Sequence, residues 1–157
     1  DAASHDAYVY GSAEVVGLMC LRVFVNAGAA SPSAPRSDLV EGARRLGAAF
    51  QDVNFLRDLD HDAATLGRDY LSLTGASGRG ALLTRIEADL AAAAAVIPLL
   101  PPDCRRAVTA AHDLFGELAR RLRADEHPVT RVRVPNPVKA RLAARAWLGF
   151  APRGHGA

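Results

Sequence analysis

The segment QDVNFLRDLDHD, residues 51–62, decides how the chain is read. On a helix each residue advances about 100°, so Asn54, Asp58 and Asp62 fall at i, i+4 and i+8 on one face. Gln51 stands one turn earlier and Arg57 borders the same stripe, whereas Val53, Phe55, Leu56 and Leu59 supply apolar cover on the remaining surface. The segment therefore reads as a helix with a polar face and a core face. Two carboxylates one i, i+4 step apart repel each other by roughly a few tenths of a kcal/mol on an exposed helix. The face calls for a compensating cation.

Working outward, apolar residues recur at three- and four-residue spacing and no stretch sustains strict alternation, so the chain is predicted to be all-α. A first helix is expected from about Asp6 to Asn26, ended by the NAGAASPSAPRS stretch. The second begins after Ser37, a plausible N-cap, with Glu41 in its first turn, and continues to about Asp62, with Gly67 marking its end. A loop through GRDYLSLTGASGRG leads to a third helix over about Ala81–Ile97. Pro101 and Pro102 separate it from a fourth over about Cys104–Arg123. Pro137 starts a last helix through Trp147, and residues 149–157 read as a frayed tail. No internal repeat is present, and the 157 residues, half of them hydrophobic, suit a single α-helical domain.

Composition narrows the function classes. A net charge of +2 is far from the concentrated positive field of a nucleic-acid binder. Cys20 and Cys104 are far apart and lack any CxxC or Cys/His ligand spacing, so neither a disulfide framework nor a zinc site is expected, and a reducing cytoplasm fits best. The most apolar run, ADLAAAAAVIPLL, is too short to span a bilayer and contains Pro98. No charged-then-apolar signal peptide opens the chain, and its start close to a helix, without Met, is read as that of a fragment.

The chemistry lies on the polar face. Two carboxylates and an amide oxygen are hard-oxygen ligands, which suit Mg²⁺ when water and substrate phosphates fill the remaining positions. Arg57 beside them offers planar donors that match phosphate oxygens, so the cluster resembles half of a diphosphate–metal clamp. A solvated face with Arg57 in ordinary ion pairs is the bland alternative. The Ala- and Gly-rich segments GARRLGAAF, ADLAAAAAV and KARLAARAW either reflect helix propensity or leave room between helices for a slender apolar ligand.

The stretch FQDVNFLRDLDHDAATLGRDYLSL resembles the second aspartate-rich motif of the squalene and phytoene synthase family, Q-x-x-N-x-x-R-D-x-x-x-D followed by G-R-x-Y-L-P. Every named position but the proline, here Ser72, is present. YVYGSAEVVGLMCLRVF is similar to the family's Y-x-Y-x-x-A-x-x-V-G segment, and IPLLPPDCRRAVTAAHDLFGELARRLR with TRVRVPNPVKAR resembles its C-terminal helices. The wording is most similar to actinobacterial phytoene synthases. The resemblance implies an all-α isoprenoid-synthase-type helical bundle, of which this chain is the C-terminal half. It also implies head-to-head joining of two prenyl diphosphates through a cyclopropylcarbinyl diphosphate, with Mg²⁺, or Mn²⁺ as its substitute, held between two aspartate motifs. By position, Asn54, Asp58 and Asp62 would hold metal and Gln51 and Arg57 would contact diphosphate. Tyr8 or Tyr10 would face the reacting carbons, and Arg68 and Tyr70 would close over the diphosphate.

Two departures accompany the resemblance. The chain contains no second D-x-x-x-D outside residues 58–62, so half of a clamp would have to come from a missing N-terminal half or another helical partner. Glu14 stands where the family usually has Gly, a change expected to narrow the cavity. The substrate is expected to be geranylgeranyl diphosphate, giving phytoene, with farnesyl diphosphate and squalene or presqualene diphosphate as the alternative. An inactive truncated chain or subunit is the reading from another class. The basic segment Arg120–Arg145 is either a solvated face or a weak peripheral attachment to anionic membrane, and Trp147 is either core or interfacial. His61 points away from the Asp58 face, and His112 has no partner spacing for metal or catalysis.

Overall fold

Among the described residues the chain forms five α-helices, with proline at or next to several of their limits. The structure is a computed structural model that describes residues 9–66, 76–124 and 131–154. Helix α1 (Val15–Asn26) is preceded by a π-helical turn over Tyr10–Glu14; α2 spans Ser37–Leu66, α3 Ala76–Val96, α4 Pro102–Ala124 and α5 Asn136–Trp147. A 3₁₀ turn, Ile97–Leu99, joins α3 to α4. No strand occurs among the described residues, as the spacing predicts.

Helix limits differ from the sequence reading where local chemistry is decisive. The Arg36 carbonyl accepts the Val40 N–H (3.0 Å), so Arg36 rather than Ser37 caps α2, and Asp38 is the acid of the first turn. Pro101 does the same for α4, accepting from Arg105 N–H (3.0 Å), which starts that helix at Pro102 instead of Cys104. Helix α2 runs four residues past Asp62, to Leu66, and α3 opens five residues before Ala81. After Asn26 the chain is stapled by that residue's own amide: Nδ2 donates to the Arg22 (2.9 Å) and Ser33 (3.2 Å) carbonyls, and the Ser33 N–H donates to Oδ1 (2.7 Å).

Helices α1, α3 and α4 pack along α2, and α5 packs on α4. Gly47 meets Ala13, and Gly17 meets Ala43, so α1 and its π turn run opposite to α2. Asp52 pairs with Arg85 and Arg45 with Asp89, which sets α3 against α2 in the same sense. The main core gathers Val53 and Leu56 of α2, Leu83, Ile86 and Leu90 of α3, Leu118 and Leu122 of α4, and Val134 from the connection to α5. Phe50 stacks on Phe115 beside it, ring centroids 3.9 Å apart. A second cluster, Leu21, Leu39, Ile97 and Leu100, closes the opposite end of α2. Burying each such side chain stabilises the fold by about 1.5–3 kcal/mol. The segment read as the start of a tail carries contacts onto the helices: Arg145 donates to the Ala151 carbonyl (3.2 Å) and the Arg153 N–H to Asp113 (2.9 Å).

Candidate active site

Helix α2 sets the site by dividing residues 51–58 between two directions. Asp52, Val53 and Leu56 are turned fully inward, which leaves Gln51 and Asn54 on the wall of a cavity and Asp58 one turn further along. The Asp58 carboxylate is 52% exposed, and its Oδ1 accepts from Arg131 Nη2 at 2.6 Å. Arg57 Nε lies 3.5 Å from the same oxygen. The compensating cation called for by the acidic face is thus provided in part by Arg131, from the segment leading into α5. Arg57 is 22% exposed, and its Nε is buried without a hydrogen-bond partner among the described residues. A buried donor left without an acceptor costs about 1–3 kcal/mol, which an incoming anion would relieve.

The cavity has a volume of about 450 Å³ and lies between the π turn, α1, α2, the end of α3, the 3₁₀ turn and α4. Ser12, Gln51 and Asn54 line one end, and Leu21, Leu39, Ile97 and Leu100 line the other. Its shape depends on how closely α1 approaches α2. A Cβ at Gly17 would sit 2.5 Å from the Ala43 carbonyl oxygen, and one at Gly47 would sit 2.5 Å from that of Ala13. Only glycine permits this contact, and both glycines line the cavity. The small residues singled out in the sequence therefore serve two purposes: close packing at some positions and open space at others.

Another face of α2 carries a polar groove that the sequence reading missed. Glu14, Glu41, Arg44, Arg45, Asp52, Arg85 and Asp89 line it. Arg44 pairs with Glu14 (2.7 Å), Arg45 with Glu41 (2.7 Å) and Asp89 (2.8 Å), and Arg85 with the buried Asp52 (2.8 Å). Burial raises the Asp89 carboxyl above the usual carboxylate value, against the opposing pull of Arg45. Hydrogen bonds to Asp89 and Glu41 hold the Arg45 guanidinium well above its ordinary value. Glu14 belongs to this groove and is absent from the apolar lining, so the acid that replaces the expected glycine makes an ion pair outside the cavity wall.

Residues 1–78 match the squalene/phytoene synthase family. The matched stretch contains both quoted motifs and ends within α3, so the resemblance seen in the C-terminal helices lies beyond it. No curated protein and no solved structure matches the chain. Within the matched region, Gln51 and Asn54 line one end of the cavity, and Arg57 and Asp58, which contact each other, follow on α2 outside its lining. Tyr10 is about half exposed, with the Arg44 guanidinium 5.9 Å over its ring, and is not among the cavity's lining residues. Tyr8, Arg68 and Tyr70 lie outside the described residues, as does the side chain of Asp62, although α2 extends through its position.

The donor set suits a divalent cation in chemistry but is short in number. Asn54 and Asp58 offer the hard oxygens that Mg²⁺ takes alongside water and phosphate. Among the described residues no three His, Cys, Asp or Glu side chains converge on one point, so these side chains supply at most part of a cage. His112 is a core residue, which its spacing in the sequence did not indicate: its ring donates from Nε2 to the Leu90 carbonyl (3.0 Å) and pairs through Nδ1 with Asp113 (3.1 Å). No described helix is long and apolar enough to cross a membrane.

Proposed function

We propose that the whole chain is of the squalene/phytoene synthase type and forms one wall of a site that condenses two prenyl diphosphates head to head. The observation that carries this reading is an apolar cavity whose Gln51–Asn54 end continues along α2 to Arg57 and Asp58, all inside the matched segment. The preferred substrate is geranylgeranyl diphosphate. Loss of diphosphate from one molecule leaves an allylic cation, which the double bond of the second attacks. Proton loss then closes a cyclopropylcarbinyl diphosphate. Departure of its diphosphate, rearrangement and loss of a second proton give phytoene.

Each residue has a task that its position supports. The apolar wall from Gly47 to Leu39 holds a prenyl chain and keeps water from the cation. Gln51 and Asn54 orient its polar end. Arg57, whose buried Nε has no hydrogen-bond partner among the described residues, donates to diphosphate oxygens, and Arg131 brings a second guanidinium to Asp58 beside it. Asn54, Asp58 and Asp62 would hold Mg²⁺, which would neutralise the charge of the departing diphosphate.

The test is product analysis, with Mg²⁺ and either geranylgeranyl or farnesyl diphosphate, of a protein that contains this chain and a second aspartate-bearing helix. Phytoene from the C20 substrate is expected, with Asp58→Asn or Asp62→Asn lowering turnover on the order of 100-fold or more, the scale of losing one such electrostatic group. Squalene from the C15 substrate would replace the chain-length assignment. Unchanged turnover in chelator or with Asp58→Ala would overturn the metal assignment.

A further inference from the structure

Helix α5 is apolar on two opposite sides. It buries Leu142 and Ala146 against the bundle, yet Pro137, Ala140, Ala144 and Trp147, which recur at three- and four-residue spacing, all lie on its exposed side. Trp147 and Leu148 are each 72% exposed and Phe150 55%, so the stripe ends in a protruding apolar turn. No acidic residue occurs anywhere in 131–154, which contains Arg131, Arg133, Lys139, Arg141, Arg145 and Arg153. Lys139 and Arg141 flank the stripe on its two sides, exposed and without an ion pair among the described residues. At the turn itself, Arg106 lies 5.4 Å over the Trp147 ring and Arg145 5.1 Å over that of Phe150.

We infer that this face docks on an anionic lipid surface, with α5 lying in the interface plane and Trp147, Leu148 and Phe150 entering it. A second copy of the chain would bring the same positive segment against itself and be repelled, whereas a bilayer bearing acidic headgroups matches both the charge and the apolar stripe. Tryptophan suits the headgroup level, where its apolar body and its N–H are both accommodated. Lysine and arginine on the flanks of an apolar stripe are the pattern of a helix lying on a membrane rather than through it. The inference rests on α4, α5 and the segment after them, beyond the matched residues, and holds whichever substrate the cavity takes.

Trp147 is the only tryptophan in the chain, so intrinsic emission reads the proposed contact directly. The chain is titrated with vesicles of phosphatidylcholine containing phosphatidylglycerol, and separately with phosphatidylcholine alone. Expected are a blue shift with the anionic vesicles, reversal in high salt, and quenching by brominated acyl chains. The Lys139→Glu/Arg141→Glu pair, at two exposed positions, should lower partitioning at least about tenfold, since each basic group near the surface contributes substantially. Leu148→Ser/Phe150→Ser should lower it with Trp147 still present as reporter. An emission unmoved by anionic vesicles, an equal shift with phosphatidylcholine alone, or a shift that grows with protein concentration without lipid would overturn the proposal. Quenching in the unaltered chain decides the matter even if a variant does not fold.

Discussion

Arg57 is the residue where sequence and structure converge most closely. Its guanidinium borders Asp58, and a buried Nε lacks an acceptor among the described residues, which is a poor arrangement for a structural arginine and a good one for an anion site. Arg57→Lys is therefore expected to lower kcat/KM on the order of 10-fold or more, since one ammonium cannot reproduce the planar fork; that is about 1.4 kcal/mol of transition-state stabilisation. Unchanged kinetics of the lysine variant would make Arg57 structural. Asp113 gives a prediction of the opposite kind. Burial pushes its carboxyl up, but the His112 ring and the Arg153 N–H outweigh that, and it sits below the ordinary carboxylate value. With a folded pKa below the unfolded one, its stabilisation is full above about pH 4 and fades as pH falls through the folded value. Asp113→Asn should cost about 2 kcal/mol at neutral pH and flatten this part of the acid-unfolding curve, as denaturation at a series of pH values would record. Asn54 and Asp58 were legible in the sequence because they share a helical period. Arg131 on Asp58 and Arg85 on Asp52 were not, because these partners are 73 and 33 residues apart and no local spacing encodes them.

Between elements, the decisive contact is the approach of α1 to α2 at two glycines. A methyl group at Gly47 would press on the Ala13 carbonyl, and one at Gly17 on that of Ala43; backbone cannot yield as a side-chain tip can. Gly47→Ala and Gly17→Ala should each destabilise by about 1–3 kcal/mol, the usual scale for overpacking, and reduce the affinity for an apolar ligand by moving one cavity wall. Denaturant midpoints together with binding of a fluorescent prenyl analogue check both effects. A midpoint unchanged in both variants would show that α1 can move away freely. Helix number, order and the proline breaks were readable from the chain, since proline and the three-to-four spacing act locally. The π turn at Tyr10–Glu14 was not. A turn of that kind leaves the residue types unchanged, and its effect is to shift which of them face α2, with Glu14 reaching Arg44 and the polar groove.

At the scale of the molecule, one acidic face implies a complement. The chain has a single D-x-x-x-D, at 58–62, and the described side chains converge on no three-ligand metal site. Catalysis of diphosphate departure requires charge to be neutralised from positioned groups on more than one side of the anion, and correct placement of those groups supplies much of the rate. A second feature points the same way. Val16, Met19 and Val23 lie within one narrow sector of α1 and are all exposed, forming an apolar stripe on the helix that also lines the cavity. A solitary protein seldom leaves such a stripe open, so another apolar helix face is expected to cover it. Incubated alone with Mg²⁺ and either geranylgeranyl or farnesyl diphosphate, the chain should give no condensation product, and it should enhance the fluorescence of a hydrophobic dye. Met19→Lys/Val23→Lys should reduce dye binding without loss of helix content, because neither side chain contributes to the core. Phytoene or squalene made by the chain as a dye-silent monomer in light scattering would show that one aspartate motif is enough and that the α1 stripe needs no cover.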